Sequence, residues 1–518
     1  MNFEGQLPFY HLSLVLVVLL VPITSAQSQT IKSEPAVVSD QKVEKKAEMP
    51  REESSDEMEQ LKSQVKQLQS LLEQQQRALT EIQKRLDERD GQARAAAQML
   101  SSPHDGTGSE SPELRTAALT VNQAPKASPV ASQLNPQDKP AAVAGWDKNH
   151  AFLRSSDGNF ETYIGGYAQL DFRGYQSGNH PPNTFLIRRA RLAAEGKVAR
   201  YYDFKLEGDF ADVIGTILRD FYVNIHRVDE FQLRFGQFRV PISQEEIRSD
   251  TYQDFVERSM VNNLVPSRSP GVMVSGVVGK GVFEYQVGAF NGKGLLASNN
   301  NGTPETAVRL RFTPWKNGSE FISKGFSVGG AFTQGRSLGG LSVRGLTESR
   351  SFSFFVPDTV NGKYIRANGE LTWMLGPAAI RAEYDQTNQR RENLGPGGST
   401  LPGVVAKGYT AQFTYLLTGE EKPEAGAVAP KSNLFGDGGR QGFGAWELKF
   451  RYANLQIADG TAKSNRAESF YFGPNWYLNR YVRYMLDLGF ERFKDPARSP
   501  KPGDQNFFVV LSRIQVAF

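Results

Sequence analysis

From about Phe160 to Phe518 the chain alternates apolar and polar residues with a period of two, and that period confines it to strands with two strongly typed faces. At the C-terminal end Phe508, Val510, Ser512, Ile514, Val516 and Phe518 share one face, and Arg513 and Gln515 lie on the other. Upstream, Tyr202, Phe204 and Leu206 oppose Asp203, Lys205 and Glu207, and Trp446, Leu448, Phe450 and Tyr452 oppose Glu447, Lys449 and Arg451. A long apolar edge needs a partner strand. Pairing the last strand with the first closes the sheet. Alternation alone also fits a soluble sandwich whose apolar face meets a packed core.

Loop lengths separate the two cases. Turn signals divide the region into about sixteen strands, near 160–175, 185–197, 201–211, 217–226, 231–238, 270–280, 282–290, 305–314, 325–335, 363–374, 378–386, 406–417, 444–456, 467–477, 480–491 and 505–518. Connections after even-numbered strands are mostly tight, as at Gly279-Lys280-Gly281 and Leu478-Asn479, while those after odd-numbered strands include 239–269, 336–362 and 387–405. An even count with short turns on one side and long loops on the other describes an all-β fold, a transmembrane antiparallel β-barrel. The segment 418–443 is the exception, a long connection on the short side. Aromatics near strand ends, such as Tyr201-Tyr202, Phe470-Tyr471-Phe472 and Trp476-Tyr477, suit the headgroup level.

The first third reads differently. Leu12 to Ile23 is apolar but short for a spanning helix, and Thr24-Ser25-Ala26 follows it, so residues 1–26 are expected to be a secretory signal, although 1–11 hold no Lys or Arg. Residues 27–55 are too polar to form a core. Met58, Leu61, Val65, Leu68, Leu72, Gln75, Leu79, Ile82 and Leu86 repeat at spacings of three and four, which predicts an α-helical coiled coil over 56–90 on the periplasmic side. A solitary amphipathic helix is the alternative, since Gln75 interrupts the seam. Residues 91–150 are rich in Ala, Pro, Ser and Gln and read as a linker to a barrel over 151–518.

The sequence has no cysteine, which excludes disulfides and thiolate sites, and its net charge of +4 on 60 basic and 56 acidic residues excludes the global field of a nucleic-acid binder. The histidines, at 11, 104, 150, 180 and 226, show no metal-ligand spacing, so no enzyme chemistry, metal or cofactor is expected. His226, inside an expected strand, reads as a lone lumen or rim residue.

The stretches Phe185-Leu-Ile-Arg-Arg-Ala-Arg-Leu192, Leu233-Arg-Phe-Gly-Gln-Phe-Arg-Val-Pro-Ile-Ser243, Phe255-Val-Glu-Arg-Ser259, Gly288-Ala-Phe-Asn-Gly292 and Gly444-Ala-Trp-Glu-Leu448 resemble, in this order, the phosphate-selective porin O/P family. The resemblance implies a trimeric porin of the bacterial outer membrane, with a lumen lined by basic residues that passes phosphate or related anions. It says nothing of the coiled coil.

A charge facing lipid at the midplane costs roughly 2 to 4 kcal/mol, so charged strand residues are expected in the lumen. Plain alternation puts Ile187, Arg189 and Arg191 on one face and Arg188 on the other, whereas the resemblance places Arg188 and Arg189 together in the constriction, which requires a bulge. Both arrangements stay open. The segment 239–269 follows the fifth strand on the long-loop side, where a porin folds a loop inward, and it carries Arg248, Arg258 and Arg268 beside Glu245, Glu246, Asp250, Asp254 and Glu257. Guanidinium matches oxyanions with forked donors, so these arginines with Arg309 and Arg311 are candidate pore-lining residues. The competing role is bracing, arginine against carboxylate, which cancels a selective field. The expected function is passive conduction of small anions such as phosphate. The alternatives are a weakly selective porin for small polar solutes, or a barrel-anchored tether contacting the periplasm or cell wall through 56–90.

Overall fold

The computed structural model describes residues 142–147, 150–178, 181–211, 217–320, 323, 325–436 and 441–518. The expected signal, polar segment and coiled coil, and most of the linker, lie outside these residues. Strand structure begins inside the expected linker: Ala142–Asp147 (β1) and His150–Ser155 (β2) form a hairpin, with Gly145 opposite Phe152 and Trp146 opposite Ala151.

Sixteen antiparallel strands close into a barrel: Glu161–Tyr175 (β3), Thr184–Val198 (β4), Tyr202–Asp209 (β5), Leu218–Val228 (β6), Phe231–Arg239 (β7), Arg268–Val278 (β8), Phe283–Phe290 (β9), Glu305–Phe312 (β10), Phe326–Leu341 (β11), Thr359–Leu375 (β14), Ala378–Arg391 (β15), Leu401–Leu416 (β16), Ala445–Ala458 (β17), Asn465–Tyr477 (β18), Val482–Phe493 (β19) and Asn506–Ala517 (β20). Gly345–Leu346 (β12) and Ser353–Phe355 (β13) form a small hairpin within the β11–β14 connection. The seam joins β20 to β3, with Val509 opposite Tyr175 and Ala517 opposite Tyr167, and Phe518 and Gly166 exchange backbone hydrogen bonds of 2.9 and 2.8 Å. Below that point β2 takes over the edge of β3.

Alternation is realised as inside and outside. Trp446, Leu448 and Phe450 face out and Glu447, Lys449 and Arg451 face in, and Ile514 and Val516 face out against Arg513 and Gln515. Tyr452–Phe470 and Phe490–Phe508 stack outside at 4.7 and 5.0 Å between ring centroids, and Trp446–Trp476 at 5.1 Å. Tyr452 and Trp446 sit on one strand, about 20 Å apart along it at a strand's rise per residue, with outward Leu448 and Phe450 between them. Tyr471 and Tyr477 point inward instead.

Tight turns such as Gly376-Pro377, where Gly376 takes φ 66°, join strands at one end. The long connections lie at the other, except the one between β16 and β17, which shares the tight-turn end. Two of these fold into the barrel. Residues 240–267 (the inserted loop), with the single-turn helix Gln244–Ile247 (α1), carry Phe255, Val256, Met260, Val261 and Leu264 into an apolar cluster with Phe354 and Phe355 of β13 and with inward residues of β16 to β20, among them Leu455, Met485, Phe507 and Leu511. The lumen is therefore filled on that side at the loop end.

Candidate pore and its constriction

Of the two open arrangements, the bulged one is present. Between Gln169↔Arg189 and Leu170↔Ile187 the register of β3 and β4 shifts by one residue, and Arg188 is the extra one. This corrects plain alternation: Ile187 faces out, 62% exposed, and no longer shares a face with Arg189, while Arg188 and Arg189 both turn inward to the loop.

The carboxylates of the inserted loop organise the constriction. Asp250 receives Arg189 at 3.3 Å, Arg191 at 2.8 Å, Arg239 at 3.1 Å and Arg258 at 2.5 Å. Asp254 receives Arg248 at 3.0 Å, Arg381 at 2.9 Å and Lys422 at 2.7 Å. Glu257 receives Arg188 at 2.6 Å and also pairs with Arg173. Glu245 accepts from Ser259 Oγ at 2.7 Å and pairs with Arg451 at 3.2 Å, and Glu246 accepts from Ser267 at 2.8 Å. Ser243 caps α1 through Glu246 N–H and donates to Glu383 at 2.6 Å, tying the loop to β15. Bracing thus occurs, but not by loop arginines against wall carboxylates: Arg248 and Arg258 pair within the loop, and wall cations hold the loop carboxylates.

Of the expected residues, Arg188, Arg189, Arg191, Arg248 and Arg258 converge on this loop. Arg268 belongs to β8 and pairs with Asp220 at 2.7 Å and Glu207 at 3.3 Å on the wall. Arg309 pairs with Glu370, and Arg311 with Glu284 at 3.2 Å and with Glu424, away from the inserted loop. His226 sits on β6 between Asp203, 3.1 Å away, and Asp229, 2.8 Å away, at the tight-turn rim. Residues not singled out before include Arg173, Arg239, Arg381 and Lys422. Inward parity was the available signal for Arg173 and Arg381, whereas nothing local marks Lys422.

Lys422 comes from the exceptional connection after β16. Residues 417–436 fold up into the barrel mouth, where Lys422 meets both Asp254 and Glu447 and Val428 packs on Leu416, Ala445 and Tyr477. A cavity of 220 Å³ lies in this mouth, and one of 180 Å³ lies against the wall; Arg191, Lys205, Glu207 and Ser249 line both.

The model of the family described as phosphate-selective porin O and P matches residues 162–518. The chain belongs to that family. It is a porin of the bacterial outer membrane, with its tight turns at the periplasmic end and its long loops outside. Porin O of Pseudomonas aeruginosa is 21% identical over 422 residues, covering 71% of this chain and 90% of that protein. An uncharacterised protein of Aquifex aeolicus is 24% identical over 243 residues, 43% of this chain and 54% of its own. Among solved structures, an anion-selective porin from Comamonas acidovorans is similar at a TM-score of 0.42 and 13% identity, covering 69% of this chain and 99% of that one.

Proposed function

We propose that this porin passes small anions, phosphate among them, with no bond made or broken. The observation that carries the reading is where uncompensated charge lies. Glu383, Asp385 and Glu491 have no cation within ion-pair distance among the described residues, and they are 6%, 3% and 1% exposed behind the loop and hairpin. Glu383 is met instead by Ser243, by the Glu245 N–H at 2.6 Å and by Asn368 at 3.2 Å, and Glu491 by Tyr471 and the Ser349 N–H. Arg350, at the tip of the β12–β13 hairpin, and Arg234, on the cavity wall, have no carboxylate partner among the described residues, and both are open to water. Paired charges present only dipoles to a passing ion, so the unpaired, wetted guanidinium groups set the sign of the field.

Reversal potential across a planar bilayer in a KCl gradient tests this, with inorganic phosphate as competitor for chloride current. Anion preference and phosphate competition support the proposal. A potential near zero favours the weakly selective alternative, for which the extensive pairing at Asp250 and Asp254 argues, and cation preference overturns the reading. We further infer a trimer, as the family implies, which crosslinking of the purified protein measures.

A further inference from the structure

We propose that the wall cavity beneath the inserted loop is a subsite for organic carboxylates, anions that join a carboxylate to an apolar body; this rests on the anion reading above. The cavity, of 180 Å³, lies against β4 to β9. A cavity of about 150 Å³ lined by apolar groups is enough to take up benzene.

Its guanidinium groups fall into two kinds. Arg191 pairs with Asp209 at 2.7 Å, Arg268 with Asp220 at 2.7 Å, and Arg239 with Asp250 at 3.1 Å. Arg234 has neither a hydrogen bond nor an ion pair among the described residues, and its buried Nε lacks an acceptor. It is held by aromatic rings instead: Cζ lies 4.4 Å from the centre of Tyr222 and 5.4 Å from that of Phe238. Stacking fixes the plane of a guanidinium while leaving its donor edge free. Gly236, between Arg234 and Phe238 on β7, takes φ 127°, and a Cβ there would stand 2.2 Å from the Phe221 carbonyl oxygen, so only glycine allows this close approach of β7 to the Tyr222 strand β6.

The surroundings decide which anion suits that edge. Phosphate is strongly hydrated and needs several free donors, and here the other guanidinium groups already serve carboxylates. A carboxylate needs one fork, and its apolar body would lie against the half-buried Tyr222 and Ile247 that line the same cavity, with Phe238 and Met273 packed behind Tyr222.

Benzoate, acetate and inorganic phosphate are the probes, each added to the full-length porin in a planar bilayer carrying chloride current. Benzoate is expected to block current at lower concentration than acetate or phosphate. Arg234→Gln is expected to weaken that block about tenfold, the loss of one forked ion pair. Tyr222→Leu is expected to weaken benzoate block while leaving acetate unchanged, with retained heat-modifiable gel mobility confirming that each variant is folded. Equal block by benzoate and acetate, or benzoate block unaltered in folded Arg234→Gln, overturns the subsite while anion preference in the wild type stands. Cation preference in the wild type removes the reading beneath it as well.

Discussion

At the scale of single residues the bulge at Arg188 makes the sharpest prediction. Arg188 is an insertion into an otherwise regular strand, since Ile187 faces out and Arg189 faces in, as adjacent residues must. Deleting Arg188 should therefore leave the β3–β4 register intact, and the variant is expected to keep the heat-modifiable mobility of a folded barrel. Glu257 would retain Arg173. Loss of the folded band would show that the extra residue is needed for closure. Arg350 bears on selectivity, because it adopts φ 59° at a hairpin tip with its side chain exposed and unpaired among the described residues. Arg350→Glu should move the reversal potential toward cations without altering the barrel.

Much of this was legible before the structure, though not evenly. Parity placed Arg189, Arg191, Arg451 and Arg513 inside because lipid and water impose opposite demands on adjacent residues. The bulge was legible only as a choice between two arrangements, since a register shift depends on how β3 and β4 pair. Which carboxylate each arginine meets was not legible at all: Asp250 draws partners from β4, β7 and its own loop, and only closure of the sheet brings them together.

Among the elements, the connection after β16 carries most consequence. Its length was visible as an anomaly, but its direction was not, because Lys422 finds Asp254 across a separation of 168 residues. Its ammonium is 3% exposed between carboxylates that are 1% and 0% exposed. Breaking a buried pair from one side costs about 3–5 kcal/mol. Asp254 keeps Arg248 and Arg381, so Lys422→Ala should fall near the low end, read as a lower urea midpoint. It should also free the inserted loop from below, giving noisier and larger single-channel currents.

For the whole molecule, the described strands complete the barrel without help from the residues upstream of β1. Removing residues 27–141 should leave single-channel conductance unchanged, and a loss of conductance would show that the upstream segment is part of the pore. If the same deletion loosens attachment to the cell envelope, the tether becomes a second function of the chain.

The packed half of the lumen has a further consequence. Where the inserted loop and hairpin lie against β20, that strand is greasy on both sides: Phe507, Val509 and Leu511 are 1%, 0% and 0% exposed inside, while Phe508 and Val510 face outward. Phe507 to Leu511 is thus an uncharged β-forming run, the kind of window that sticks to its own copies while still unfolded. Val509→Thr should slow light scattering when the denatured chain is diluted from urea. In the finished barrel the same hydroxyl, lacking a partner, should cost about 1–3 kcal/mol. The cluster that steadies the constriction is therefore also a hazard of delivery, and a chain built this way depends on being escorted through water before it reaches the bilayer.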